Sequence, residues 1–220
     1  MKLVERLKRI VNPKPELVKM FENSADNVEE IMRHLFNTLE ALCKNEEERI
    51  EEFAKKTLHS ELNLHEKYHK IIEQMYTRKT MTFSREDRHF IITQLLELAD
   101  TADFVVRRLR AHRPEMDQIL ADIMLSGIPD LKQLGLLVSK LVHALFNDFE
   151  EAQEIIWQIH HAQRNMWVYE IEFLKNIYRS EQSAQDIVYY EILIRSLRRT
   201  VLVAIRFADG ARKLILKYTL

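Results

Sequence analysis

Residues 82–110 read TFSREDRHFIITQLLELADTADFVVRRLR. The spacing predicts one long amphipathic helix. Ser84 opens it as an N-cap, with Asp87 three residues on completing a capping box. Arg107, Arg108, Arg110 and Arg113 load its end, where cations suit the helix dipole, and Pro114 follows. Two acids, Asp100 and Asp103, stand in its apolar middle. Asp is a poor helix former and is costly to bury without a partner. Their presence asks for a partner, and the rest of the chain has to supply it.

The 220 residues include 3 glycines and 4 prolines, with 46% hydrophobic and 30% charged residues. That is enough apolar material for a real core. It is too little turn chemistry for many strands and bends. Long helices joined by a few loops are expected. The 33 basic and 34 acidic side chains leave a formal charge of -1. Such a balance gives no basic field for nucleic acid. Cys43 is the single cysteine, which allows no internal disulfide and suits a reducing compartment. The start, MKLVERLKRIVNPKP, carries charges throughout and has no signal-peptide core. No apolar run reaches the ~18 residues that span a bilayer. A soluble, cytoplasmic protein is expected.

Outward from the opening stretch, helical periodicity is nearly continuous. One helix is expected from Pro15 through LEALC, with Val18, Phe21, Ala25, Val28, Ile31, Met32, Leu35 and Leu39 at helical spacing. KNEEER at 44–49 reads as a polar hinge, and a second helix as running from Glu47 to Thr77. Beyond Pro114, Pro129-Asp130 reads as the start of a fourth helix through LKQLGLLVSKLVHALF. A fifth is expected to Arg179. Ser183 and Asp186 form a second capping box ahead of a last helix ending near Tyr218. Ser84/Ser183, Asp87/Asp186, Leu98/Leu197 and Thr101/Thr200 are each 99 residues apart. The fold expected is all-α, two tandem three-helix bundles, with residues 1–113 in the first and 114–220 in the second. VLVAIRFA and GLLVSKLVHALF are apolar on more than one face. They are expected to pack on the other bundle or on a second chain, with a homodimer the favoured outcome.

A hairpin of the second and third helices places Glu61 and Asp100 at the same height, roughly 25 Å from its turn at ~1.5 Å per residue. His65 lies one turn from Glu61 on the same face, and Asp103 lies near the same level. Glu61, His65, Asp100 and Asp103 are therefore candidate ligands for one divalent metal, with iron, zinc or manganese suited to carboxylate and imidazole. The competing reading has Asp100 and Asp103 facing solvent or capping an Arg or His.

HEKYH at 65–69 matches the zinc-protease pattern, with His65 and His69 as ligands, Glu66 as base and Glu97 as a conceivable third ligand. Lys67 inside it, and the lack of a strand edge for a peptide, favour a solvated polar stripe. Glu66/His69 and Glu86/His89 share the di-iron Glu-x-x-His spacing but stand at different heights. His160-His161 reads as surface or packing. Arg195, Arg198, Arg199 and Arg206 form a basic stripe on the last helix, solvated, ion-paired or holding an anion. No glycine-rich phosphate loop is present.

Met81-Thr82-Phe83-Ser84-Arg85-Glu86-Asp87, followed by Leu98-Ala99-Asp100-Thr101-Ala102-Asp103, resembles the hallmark of the PhoU-like proteins encoded beside inorganic phosphate transporters. That hallmark is a Thr-Pro-Phe-Asp-Arg-Glu-Asp turn and a helix carrying Leu-Asp-Asp-x-x-Asp. The closing KLILKYTL also resembles the family's ending, and the helix layout matches over most of the chain. The resemblance implies two three-helix bundles related by a pseudo-twofold axis. It implies regulation of phosphate uptake without catalysis, by binding a membrane phosphate transporter or its regulators from the cytoplasm, peripherally at the inner face of the membrane at most. It also implies metal binding through Glu/Asp-x-x-x-Asp motifs. The first motif falls on Glu61 and His65, the second on Ala99 and Asp103, with Asp100 beside it. In the second half the motifs fall on Gln163 and Trp167, and on Arg198 and Leu202, a set that cannot ligate a cation. One metal in the first half, weakly held or absent because Ala99 replaces a carboxylate, is the resulting expectation. The alternatives are a metal-free helical adaptor unrelated to phosphate, and a metalloenzyme using HEKYH.

Overall fold

The computed structural model describes residues 16–77 and 83–220. The basic lead-in with Pro15, and the 78–82 segment with Met81 and Thr82, lie outside the described residues. Six helices make up the architecture, with no strand among the described residues: α1 Glu16–Cys43, α2 Glu47–Thr77, α3 Arg85–Ala111, α4 Gln118–Leu145, α5 Phe149–Ile177 and α6 Ala184–Thr219. α1, α2 and α3 pack on one another, as do α4, α5 and α6. The two groups share a core through α1 against α4 and α3 against α6.

Burial follows this arrangement. α1 touches α2, α3 and α4, so its apolar stripe of Val18, Phe21, Ala25, Val28, Ile31, Met32, Leu35 and Leu39 is buried. Ser24 and Thr38 on its flanks are buried as well. Their hydroxyls donate to the Met20 and His34 carbonyls one turn back, at 2.8 and 2.9 Å, so neither is left unsatisfied. The apolar faces of α4 and α6 are covered within the chain: Leu134, Leu137, Val138, Leu141 and Val142, and Val201, Val203, Ala204 and Phe207, are all buried. Leu202 stays partly exposed. Burial of these side chains, at ~25 cal/mol per Å² of apolar surface, is what holds helices of near-neutral propensity in place.

The helix ends follow local chemistry. At the α1–α2 turn Asn45 takes a left-handed conformation with φ 54°. The Glu46 N–H reaches back to the Ala41 carbonyl at 2.9 Å, an ending in which Asn substitutes for glycine. Ser84 and Ser183 cap α3 and α6, each accepting from the backbone N–H of the Asp three residues on, at 3.2 Å. The fourth helix differs from expectation. It begins at Gln118, capped by Asp117, whose Oδ1 accepts the Leu120 N–H at 2.9 Å, and Pro129 lies inside it. A proline in a helix forfeits one backbone bond. Here the buried Leu120, Ala121, Met124 and Ile128 before the proline, and Leu131 and Leu134 after it, outweigh that loss.

The two groups lock together at close approaches. A Cβ at Gly135 in α4 would lie 2.9 Å from Met32 Cβ in α1, so only glycine lets these helices come this near. At one end of the core Phe83 packs edge-on against Phe146 and Tyr218, with centroids at 5.3 and 5.1 Å. The Tyr218 hydroxyl accepts the Ser84 N–H at 2.7 Å and donates to Asp87 Oδ2 at 2.5 Å, while Lys217 Nζ reaches the same oxygen at 2.8 Å. The KLILKYTL ending is thus pinned onto the start of α3.

Candidate metal centre between α2 and α3

Glu61 and His65 stand one turn apart on α2, and Asp100 faces them from α3. His65 Nε2 lies 2.9 Å from Glu61 Oε1 and 3.2 Å from Asp100 Oδ1. One donor atom from each of the three residues falls within 4.8 Å of the others, the one such cluster among the described residues. Ionised carboxylates only accept. With a hydrogen on Nε2 the imidazole donates to one of them; in the other tautomer the same nitrogen is a ligand atom for a cation.

The three ligands differ in setting. The Glu61 side chain is 14% exposed, His65 39% and Asp100 57%. Burial pushes the Glu61 carboxyl above its ordinary range, the Asp103 charge adds to the rise, and His65 opposes it. Asp103 itself is held elsewhere: Arg107 Nε donates to both of its oxygens, at 2.8 and 2.7 Å. Of the four candidate ligands, the structure brings Glu61, His65 and Asp100 together and ties Asp103 to arginine. The two acids are not paired inner-face carboxylates. Asp100 is open to solvent on the rim, and Asp103 is neutralised by its own helix.

The donor set fits a divalent cation of intermediate hardness, with one imidazole and two carboxylates as ligands and water completing the shell. Arg107 keeps the fourth carboxylate out. In the HEKYH stretch, Glu66 and His69 are exposed, and His69 lies against Tyr68 rather than with His65. Lys67 reaches instead to Asn27 Oδ1 at 2.7 Å, and Asn27 in turn donates to the Ser60 carbonyl. Glu97 pairs with Arg206.

The matching positions of the second half also converge. Gln163 and Trp167 from α5 and Arg198 and Leu202 from α6 line a single cavity of about 300 Å³, with Arg164, Met166 and Val201. No carboxylate lines it. Arg198 Nη1 turns to Glu170, at 3.3 Å from Oε1. Glu170 is nearly fully buried and carries no pattern signal in the sequence. Arg195 pairs with Glu191 at 2.5 Å, so most of the basic stripe on α6 is ion-paired. Cys43 is buried, and burial pushes its thiol up to about 12, which keeps it an unreactive core residue. Among the described residues no helix is long and apolar enough to cross a membrane. Compared with models of protein families and with curated proteins, the chain matches none.

Proposed function

We propose that this protein is a non-enzymatic, PhoU-like accessory protein of phosphate transport. It binds a membrane phosphate transporter or its regulators from the cytoplasmic side. The observation that carries the reading is the convergence of Glu61, His65 and Asp100 across the α2–α3 hairpin, with Glu61 and His65 at the positions of the first resembled metal-binding motif and Asp100 next to the second, which falls on Ala99 and Asp103. A cation there would cross-link α2 to α3 and fix the hairpin as a recognition surface. The chain's own part is to supply Glu61, His65 and Asp100 as ligands and to hold Asp103 aside on Arg107. The test is genetic and biochemical together. Loss of the gene should change uptake of radiolabelled phosphate, and affinity-tagged protein should retain a phosphate transporter or its regulator from solubilised membranes. Unchanged uptake with no such protein retained would overturn the reading.

A metal-free helical adaptor is the second reading. Its support is the Asp103–Arg107 pair and the openness of Asp100, which leave the cluster one carboxylate short. Metal content of the purified protein separates the two.

A further inference from the structure

The cavity between α5 and α6 has the chemistry of a binding site. Its floor is apolar, with Met166 and Val201 almost fully buried. The Trp167 indole and the Leu202 side chain stand partly exposed at its mouth. Two guanidinium groups, Arg164 and Arg198, reach it with no lining carboxylate. Arg164 has no hydrogen bond or ion pair among the described residues. Arg198 gives one N–H to Glu170 and keeps its other donors, of the five a guanidinium carries. Glu170 is the one acid paired with either arginine among the described residues. The volume of about 300 Å³ reaches the lower end of the range for small-molecule sites.

We propose that this cavity binds a small organic anion, one acidic head on a flat apolar body, of the aromatic carboxylate class. The head pairs with Arg164 and the free donors of Arg198. The body lies on Met166 and Val201 between Trp167 and Leu202. A metal ion is repelled here, so the halves of the molecule differ in the sign of the charge they accept. The inference stands on the cavity alone and does not rest on the phosphate-transport reading.

The chain has 2 tryptophans, Trp157 and Trp167, so two indole N–H signals report by NMR, and Trp157→Phe assigns them. The probe is 2-naphthoate, with neutral 2-naphthol and acetate as controls. Expected is a saturable shift of the Trp167 signal with 2-naphthoate, at least about tenfold weaker binding of either control, and a similar loss in Arg164→Gln, since a charge-assisted pair is worth roughly that factor. Arg198→Gln strips the buried Glu170 of its partner and risks the fold. Arg198→Lys keeps the charge, and Leu202→Trp narrows the mouth without touching it, so binding should weaken in Leu202→Trp while the helical spectrum stays unchanged. Equal binding of 2-naphthol, full affinity in Arg164→Gln, or no saturable shift of Trp167 would each overturn the proposal.

Discussion

Thr101 and Thr200, 99 residues apart, hydrogen-bond to each other: Thr200 Oγ1 donates to Thr101 Oγ1 at 3.1 Å between two buried side chains. Thr101 passes its own hydrogen to the Leu98 carbonyl at 2.7 Å. The same offset relates Leu98 to Leu197, both buried, and the two Ser/Asp capping boxes. Residues of the two halves at the same offset thus meet where α3 packs on α6.

Removing both hydroxyls from this pair should cost less than the sum of removing each alone. Thr101→Val deletes the acceptor, and Thr200 falls back on the Ser196 carbonyl at 3.2 Å. A loss of ~1 kcal/mol is expected for either single valine variant. Val–Val is an apolar contact of the same shape, so the double variant should lose less than the sum. Urea denaturation of the four proteins reads this as a coupling energy. Strict additivity would show that the two hydroxyls are energetically independent.

Gly135→Ala tests the α1–α4 approach. In a helix interior alanine normally gains ~1 kcal/mol over glycine. Here the new methyl meets Met32 Cβ at 2.9 Å and Glu29 Cα at 3.7 Å, neither of which can swing aside as a chain end could. Overpacking of this kind costs ~1–3 kcal/mol, so the variant should be less stable despite its better helix propensity. Differential scanning calorimetry decides the sign, and a raised Tm would mean that the helices separate at little cost.

How far the sequence foretold these features depended on how local each one is. Capping boxes at Ser84 and Ser183, and the bounds of α2, rest on neighbours within one turn and were legible. Spacing and height along the hairpin put Glu61, His65, Asp100 and Asp103 at one level, and the structure brings the first three together. The start of α4 was misread because Pro129-Asp130 carries a strong start signal, while Asp117 competes only through packing far along the chain. Asp103 has Arg107 and the Glu61–His65–Asp100 cluster both within reach, and spacing alone cannot rank them. The α5–α6 cavity and the buried Glu170 depend on which side chains of two helices fail to fill the space between them, which periodicity does not encode.

Glu40 ties the two halves together and gives the fold an acid-sensitive bond. It accepts from Lys44 at 2.7 Å within α1 and from Lys132 of α4 at 2.9 Å. These hydrogen bonds, Lys44 first, pull its carboxyl down to about 2. A depressed folded-state value stabilises the fold above the ordinary carboxylate range, and the gain is lost as pH falls from about 4.5 toward 2. Glu40→Gln should lower Tm by ~1–4 °C at neutral pH. The gap should close on acidification through that window. A gap that persists at the acid end would assign the effect to side-chain shape rather than charge.

If a cation binds between α2 and α3, as proposed, Arg107 sets the strength of that site. It holds Asp103 through both carboxylate oxygens, yet Asp103 stands near enough for its charge to raise the Glu61 pKa. Substituting Arg107→Gln frees that carboxylate to join Glu61, His65 and Asp100. Zinc affinity should then rise by roughly tenfold, the order expected when a site gains an ionised ligand. His65→Ala removes the central donor and should abolish binding at little cost to stability, because His65 is partly exposed and the apolar core carries the fold. Binding should weaken in acid, since zinc competes with protons for the ligand atoms. Glu61, with its raised pKa, takes up its proton at higher pH than an ordinary carboxylate. Calorimetric titration of zinc into wild type, Arg107→Gln and His65→Ala tests all three points. Unchanged affinity in Arg107→Gln would place Asp103 outside the site, and stoichiometric zinc retained by His65→Ala would remove the site altogether.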